Sequence, residues 1–258
     1  MLQSAAMRTR LLLPLAVTAL AATVPVIKWK TGDRSRPLPP VVEPGTPSTP
    51  DHSGSAPSDA VSLFNGKDLS GWKQHNGKPP AWKVHDGYFE VQPGSGDLVT
   101  VQPFGDCQLH VEWATPAKPH GSDQEPGNSG VYLQSLYEIQ VLESHNNKTY
   151  ADGQAGAIYC QYPPLTNPSR PPGEWQTYDI VFHGPRFSGS QLEEPATITL
   201  LFNGVLSQDH AVLTGPTDYM KRPPYKVTPE KLPLLLQDHG EPVRYRNIWI
   251  RELGRAAG

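Results

Sequence analysis

The feature that most constrains this chain is a succession of short alternating runs from Val61 onward, cut by glycine, proline and Asn-Gly turns. Successive side chains of a strand point to opposite faces, so alternation at period two marks a half-buried strand, whereas a helix needs a period near 3.6. Residues 107–113 alternate without a break: Leu109, Val111 and Trp113 share one face, Gln108, His110 and Glu112 the other. Residues 178–182 read as a buried strand, and 245–251 as a closing one. Residues 197–202 run into Asn203-Gly204 and out through Val205 and Leu206. Asn-Gly between apolar runs is a strong hairpin signal, because both turn positions take positive φ. No long segment carries a helical period and no repeat of blade length recurs. The expectation is an all-β sandwich of the jelly-roll kind, not a propeller.

The residues before this body have another character. Arg8 and Arg10 precede 17 uncharged residues, 11–27, with a small-x-small site at Ala19-Leu20-Ala21. A basic start, an apolar run and such a site are the parts of an export signal. About 17 residues is also the lower limit for spanning a bilayer, so residues 1–30 read either as a cleaved signal peptide or as a membrane anchor. Residues 37–58 hold seven prolines among 22 positions and little that is apolar. A segment unable to bury apolar surface cannot offset its ordering entropy, so 31–58 are expected as an extended, disordered linker. The folded domain is expected over 59–258, and the protein in the periplasm or on the outer surface, secreted or tethered.

Charge and cysteine narrow the partners. The first 60 residues carry six of the 22 basic and four of the 25 acidic residues, leaving 16 and 21 for the body. A mildly acidic body argues against nucleic acid, whose binding needs clustered Lys and Arg, and suits a neutral, hydroxyl-rich ligand. Cys107 and Cys160 are too few for a disulfide scaffold. No CxxC, HExxH, P-loop or GxSxG motif is present, so zincin, nucleotide and α/β-hydrolase chemistry lack support.

Residues 127–134 (GNSGVYLQ) lead into 137–144 (YEIQVLES), where Tyr137, Ile139 and Val141 share one face and Glu138 and Gln140 the other. A one-residue bulge would bring Glu143 onto the face of Glu138. The resulting Glu-x-Gln-x-x-Glu pattern is close to the Glu-x-Asp-x-x-Glu of retaining β-glucanases, which need two carboxylates about 5–5.5 Å apart. Gln140 cannot ionise, so ordinary retaining hydrolysis is in doubt. The competing reading is a solvated polar face on an edge strand. A second cluster, 233–240 (PLLLQDHG) followed by Tyr245-Arg246-Asn247, places polar residues directly after a buried leucine run. His239 is the general base by residue type, or a structural histidine; Arg246 is an anion clamp, or one arm of an ion pair. His110, His145, His183 and His210 read as structural or solvated. Tyr132 and Trp175 are sugar-stacking platforms, while Trp82, Trp113 and Trp249 read as core. A divalent metal held by Glu138, Glu143, Asp238 and His239 is compatible with composition, though nothing in the spacing demands it.

Residues 63–72 (LFNGKDLSGW), 127–134 with 137–143, 171–179 (PPGEWQTYD), 203–205 (NGV), and 236–240 (LQDHG) with 245–249 (YRNIW) together resemble the 3-keto-disaccharide hydrolase domain family, across about 61–253. The resemblance implies a concanavalin A/laminarinase-like jelly roll acting on 3-keto-glycosides, downstream of a glucoside 3-dehydrogenase. A C3 ketone acidifies the C2 proton, so a base removes it, the C1 oxygen leaves by elimination, and water adds to the resulting glycal. That route needs a base, an enolate stabiliser and an acid, but no carboxylate nucleophile. The expected roles are His239 or Glu143 as base, Arg246 (or a divalent metal) on the enolate, and Glu138 with Gln140 on hydroxyls. Tyr132, Trp175, Asp238 and Asn247 complete the substrate contacts. The alternatives are a non-catalytic lectin-like module and an ordinary retaining glycosidase.

Overall fold

The structure, a computed structural model, describes residues 29–254. The apolar run 11–27 and its cleavage site lie outside the described residues. The chain forms two units, Met1–Pro39 with Ala256–Gly258, and Pro40–Arg255. In the described part of the first, the Asp33 carboxylate closes a turn by accepting from the Ser35 amide (2.9 Å) and hydroxyl (2.6 Å).

Among the described residues, fifteen strands build the second unit. They are β1 (Val61–Ser62), β2 (Trp72–Gln74), β3 (Lys83–His85), β4 (Tyr88–Glu90), β5 (Leu98–Phe104), β6 (Cys107–Ala114), β7 (Ser129–Leu133) and β8 (Tyr137–Val141). After one 3-10 turn (Ala151–Gly153) come β9 (Gln176–His183), β10 (Arg186–Ser188), β11 (Gln191–Glu194), β12 (Thr197–Phe202), β13 (Val205–Val212), β14 (Leu232–Leu236) and β15 (Arg244–Glu252). Among the described residues there is no α-helix, as the missing 3.6 period requires. The larger sheet runs β13-β12-β9-β6-β15-β4-β3 with β1 on β15, and the smaller runs β2-β5-β14-β7-β8. All these pairings are antiparallel.

The inward faces follow the alternation read from sequence. Leu109, Val111 and Trp113 of β6, with Tyr178, Ile180 and Phe182 of β9, pack in one core with Val131, Leu133, Tyr137, Ile139 and Val141 of the smaller sheet. All of these are at most 2% exposed, and each such aliphatic or aromatic side chain contributes about 1.5–3 kcal/mol by leaving water. Trp82, Trp113 and Trp249 are buried as expected. The β12–β13 hairpin turns at Asn203 (φ 50°) and Gly204 (φ 78°). Cys107 and Cys160 are buried free thiols, and burial pushes the Cys107 thiol up to about 12.

Two expectations change. β8 is the outer strand of its sheet, yet its far edge is covered: Gln140 N donates to Ala157 O (3.0 Å), Gly156 N to Gln140 O (3.0 Å), and Glu138 N to the Thr217 hydroxyl (3.0 Å). Glu138 and Gln140 are therefore 3% and 1% exposed, not a solvated face. Residues 40–58, expected as an extended spacer, instead fold back on the larger sheet. Thr46 pairs with Ser55, and the Ser48 hydroxyl donates to Glu112 Oε1 (2.5 Å). The expectation counted only apolar burial. Here a hydroxyl of the segment adds one more donor to the buried Glu112 carboxylate.

Candidate active site

Cross-strand pairing on the outer face of β7 and β8 sets Tyr132 opposite Glu138 and Gly130 opposite Gln140. These side chains floor a cleft of about 320 Å³, also lined by Asn128, Tyr159, Thr217, Asp218, Tyr219, Gln237 and His239. That volume is at the lower end for small-molecule sites. The strands place the floor; the rim comes from the loops after β8, β13 and β14. Gln237 Nε2 donates to the Tyr132 hydroxyl (3.2 Å), while its Oε1 is buried without a partner. Gln140 Nε2 donates to Gln124 Oε1 (3.1 Å). Burial pushes the Glu138 carboxyl up to about 8; the Tyr132 hydroxyl works against this and the Asp97 charge adds to it. Burial also raises Tyr132, reinforced by Glu138. His239 is exposed at the mouth.

Of the residues expected to work together, the structure gathers Glu138, Gln140, Tyr132 and His239. It does not gather the rest. β8 ends at Val141, and both Val141 and Leu142 enter the core, so no bulge turns Glu143 onto the face of Glu138. Glu143 instead accepts from the His145 amide (2.7 Å) and the Thr115 hydroxyl (3.4 Å), and borders a separate depression with Asn147 and Lys148. Asp238 fastens loops: its carboxylate accepts from Gly96 N (2.8 Å) and Gly240 N (3.0 Å), and its amide donates to Asp97 (2.8 Å).

Arg246 and Asn247 belong to β15 of the larger sheet, and Trp175, just before β9, lies against Arg246. Arg246 Nε donates to Glu112 Oε2 (2.7 Å), and its guanidinium lies 4.2 Å from the Trp175 ring centre. Asn247, at φ 44° in a register shift of β15, donates to Glu112 Oε1 (2.6 Å). Period two puts Arg246 on the polar side of β15 but says nothing of which sheet β15 joins. A larger depression of about 490 Å³ lies on this side, against residues 45–57. Its ionisable groups are already engaged: His110 binds Asp179 (2.6 Å), and Arg170 donates to the Trp175 carbonyl (2.5 Å). Burial opposes the charged form of His110, but Asp179 and Glu112 outweigh it and raise the ring to about 9. The Glu138 cleft is therefore the better candidate.

Asn128, Tyr159, Thr217, Asp218, Tyr219 and Gln237 were not expected here. Asn128 and Gln237 sit inside motifs already singled out. Tyr159 and 217–219 come from loops with no pattern of their own. Among the described residues, no three His, Cys, Asp or Glu side chains cluster as a metal site would need; of Glu138, Glu143, Asp238 and His239, only Glu138 and His239 line the cleft.

Fold and cleft together define the class: a jelly-roll sandwich with a sugar-sized polar cleft on its smaller sheet, the architecture of a carbohydrate-active enzyme. The chain belongs to the 3-keto-α-glucoside-1,2-lyase-like domain family, which it matches over residues 59–251. It is 25% identical over 248 residues to a 3-keto-disaccharide hydrolase of Bacteroides thetaiotaomicron, covering 75% of this chain and 78% of that protein. A crystal structure of a candidate glycosyl hydrolase from Parabacteroides distasonis ATCC 8503 superposes with a TM-score of 0.82 at 44% identity, over 86% of this chain and 95% of the other. A second from the same organism (TM-score 0.56, 24% identity, 76% and 94% covered) is similar in fold.

Proposed function

We propose that this protein cleaves glycosides oxidised at C3, removing the C2 proton, expelling the C1 substituent by elimination, and adding water to the glycal. The observation that carries this reading is the composition of the cleft: an exposed imidazole, His239, shares it with a buried carboxyl, Glu138, and the amide of Gln140. Double displacement wants two carboxyl groups about 5–5.5 Å apart. Glu143 is held elsewhere, and Asp218 at the rim faces Lys221 (3.6 Å). Elimination needs a base, a proton donor and hydrogen-bonding groups for the enolate but no carboxylate nucleophile, and the cleft holds groups of each kind. His239 takes the C2 proton. Tyr132 and Gln237, joined by their own hydrogen bond, hold hydroxyls of the sugar.

The substrate implies an oxidation at C3 upstream, by a glucoside 3-dehydrogenase. The protein is exported through residues 1–30 and works in the periplasm or at the outer surface. The test is incubation with 3-keto-trehalose or a 3-keto-glucoside beside the unoxidised sugar. Release of sugar from the keto substrate alone is expected. Turnover of the unoxidised sugar would instead make it an ordinary glycosidase, and binding without turnover of either a lectin-like module.

A further inference from the structure

The Gln140 amide is ringed by four oxygens. Gln124 Oε1 (3.1 Å) and Asn128 Oδ1 (3.4 Å) lie at one end, and Glu138 Oε1 (3.0 Å) and the Ser129 carbonyl (3.3 Å) at the other. A primary amide donates from one end only, so in either orientation its oxygen confronts oxygens. The neighbours decide between the two. Gln124 Nε2 donates to Gly153 O (3.0 Å) and to the Thr149 hydroxyl (2.8 Å), and Asn128 Nδ2 donates to Gln124 O (2.5 Å). Turning Gln140 round would force both of those amides round too, setting Gln124 Oε1 against Gly153 O and Asn128 Oδ1 against Gln124 O. With Gln140 Nε2 on Gln124 and Asn128, its Oε1 faces the Ser129 carbonyl (3.3 Å) and, in the closer contact, Glu138 Oε1 (3.0 Å). A proton on Glu138 turns that contact into a hydrogen bond.

We propose that Glu138 rests as a neutral carboxylic acid donating to Gln140, and that it delivers this proton to the departing glycosidic oxygen. The second half rests on the reaction proposed above; the first does not. Burial favours the same form. The titratable groups facing it come from several elements: Tyr132 of β7, Tyr245 of β15, Asp97 before β5, Tyr159 in the loop after β8, and His239 and Asp218 at the rim. None is a fixed cation; the Tyr132 hydroxyl favours the charged form, but burial outweighs it and the Asp97 charge adds to burial. In the elimination, the C2 proton passes to His239 and its electron pair forms the C1–C2 double bond. The C1–O pair leaves with oxygen, which takes the Glu138 proton. In the hydration, the Glu138 carboxylate takes a proton from the water adding at C1 while the imidazolium returns one to C2. Both groups finish as they began.

Two measurements test this. Infrared spectra of the chain with ¹³C-labelled glutamate at neutral pH, parent minus Glu138→Gln, should contain a protonated-carboxyl stretch; a carboxylate pair in its place would overturn the resting state. Glu138→Gln keeps the donor to Gln140 and loses the transferable proton. On 3-keto glycosides with alkyl or sugar aglycones, its kcat should fall by about 10²–10⁴, and with a 4-nitrophenyl aglycone, which leaves unassisted, by far less. An equal loss on both overturns the acid role. If that variant does not fold, a pH titration of the labelled parent decides the resting state: a carboxyl signal lost only near pH 8 supports it, and complete ionisation at neutral pH overturns it. A parent that cleaves no 3-keto glycoside while keeping the carboxyl stretch sinks the reaction and the delivery step, and leaves the neutral Glu138 standing.

Discussion

At the scale of residues, the cleft separates roles that composition alone merges. His239 and Glu143 are equally good bases by chemistry. His239 opens into the cleft, while Glu143 is spent on the His145 amide and the Thr115 hydroxyl. Steady-state kinetics on a 3-keto-glucoside should therefore show a fall of roughly 10²–10⁴ in kcat for His239→Ala. Glu143→Gln should keep kcat within a few-fold and cost about 1 kcal/mol in thermal unfolding. The reverse ranking would return the base to Glu143. Arg246 carries a similar lesson: its guanidinium neutralises buried Glu112 on the larger sheet, so it serves folding there and not an enolate.

At the scale of elements, the β7–β8 pair does the positioning. Gly130 lies opposite Gln140, and a Cβ there would sit 2.5 Å from Glu138 Oε1 and 2.7 Å from the Tyr132 ring. The missing side chain is what lets the carboxyl and the ring close over the strand. Gly130→Ala should cost about 1–3 kcal/mol by overpacking, and should lower kcat because Glu138 is displaced. Thermal melting and kinetics on the same preparation check both; an unaltered variant would mean that the carboxyl has room to move.

At the scale of the whole molecule, two buried sites on opposite sheets bind protons more tightly in the folded state. His110 is raised to about 9 and Glu138 to about 8. For a raised group, the contribution to stability is whole below its unfolded value and lost as the pH rises through its folded one. Both signs agree, so melting temperature should decline from neutral pH to about pH 9. Glu138→Gln should remove part of that decline, and a flat melting curve across this range would contradict both shifts. On the acid side, Asp106 and Glu112 are held below the usual carboxylate range by their hydrogen bonds, against the cost of burial. Their contribution is present above that range and is lost as the pH falls through their folded values.

Period-two alternation at 107–113 and 137–141, with the Asn203-Gly204 turn, was enough to determine the strands, their inward faces and the all-β class, because side-chain direction along a strand is a local property. Alternation also brought Glu138 and Gln140 forward as candidates, and residue type brought Tyr132 and His239. Which strands become neighbours is not local. Only the tertiary structure decided that β15 lies beside β6, taking Arg246 and Asn247 to Glu112, and that the chain leaves β8 at Val141, carrying Glu143 away. It also folded residues 40–58 onto the larger sheet and covered β8 with the loop that makes Glu138 a buried acid. Burial and hydrogen-bond partners belong to the assembled sheets, and those two quantities, more than residue type, set what a carboxyl or a guanidinium can do.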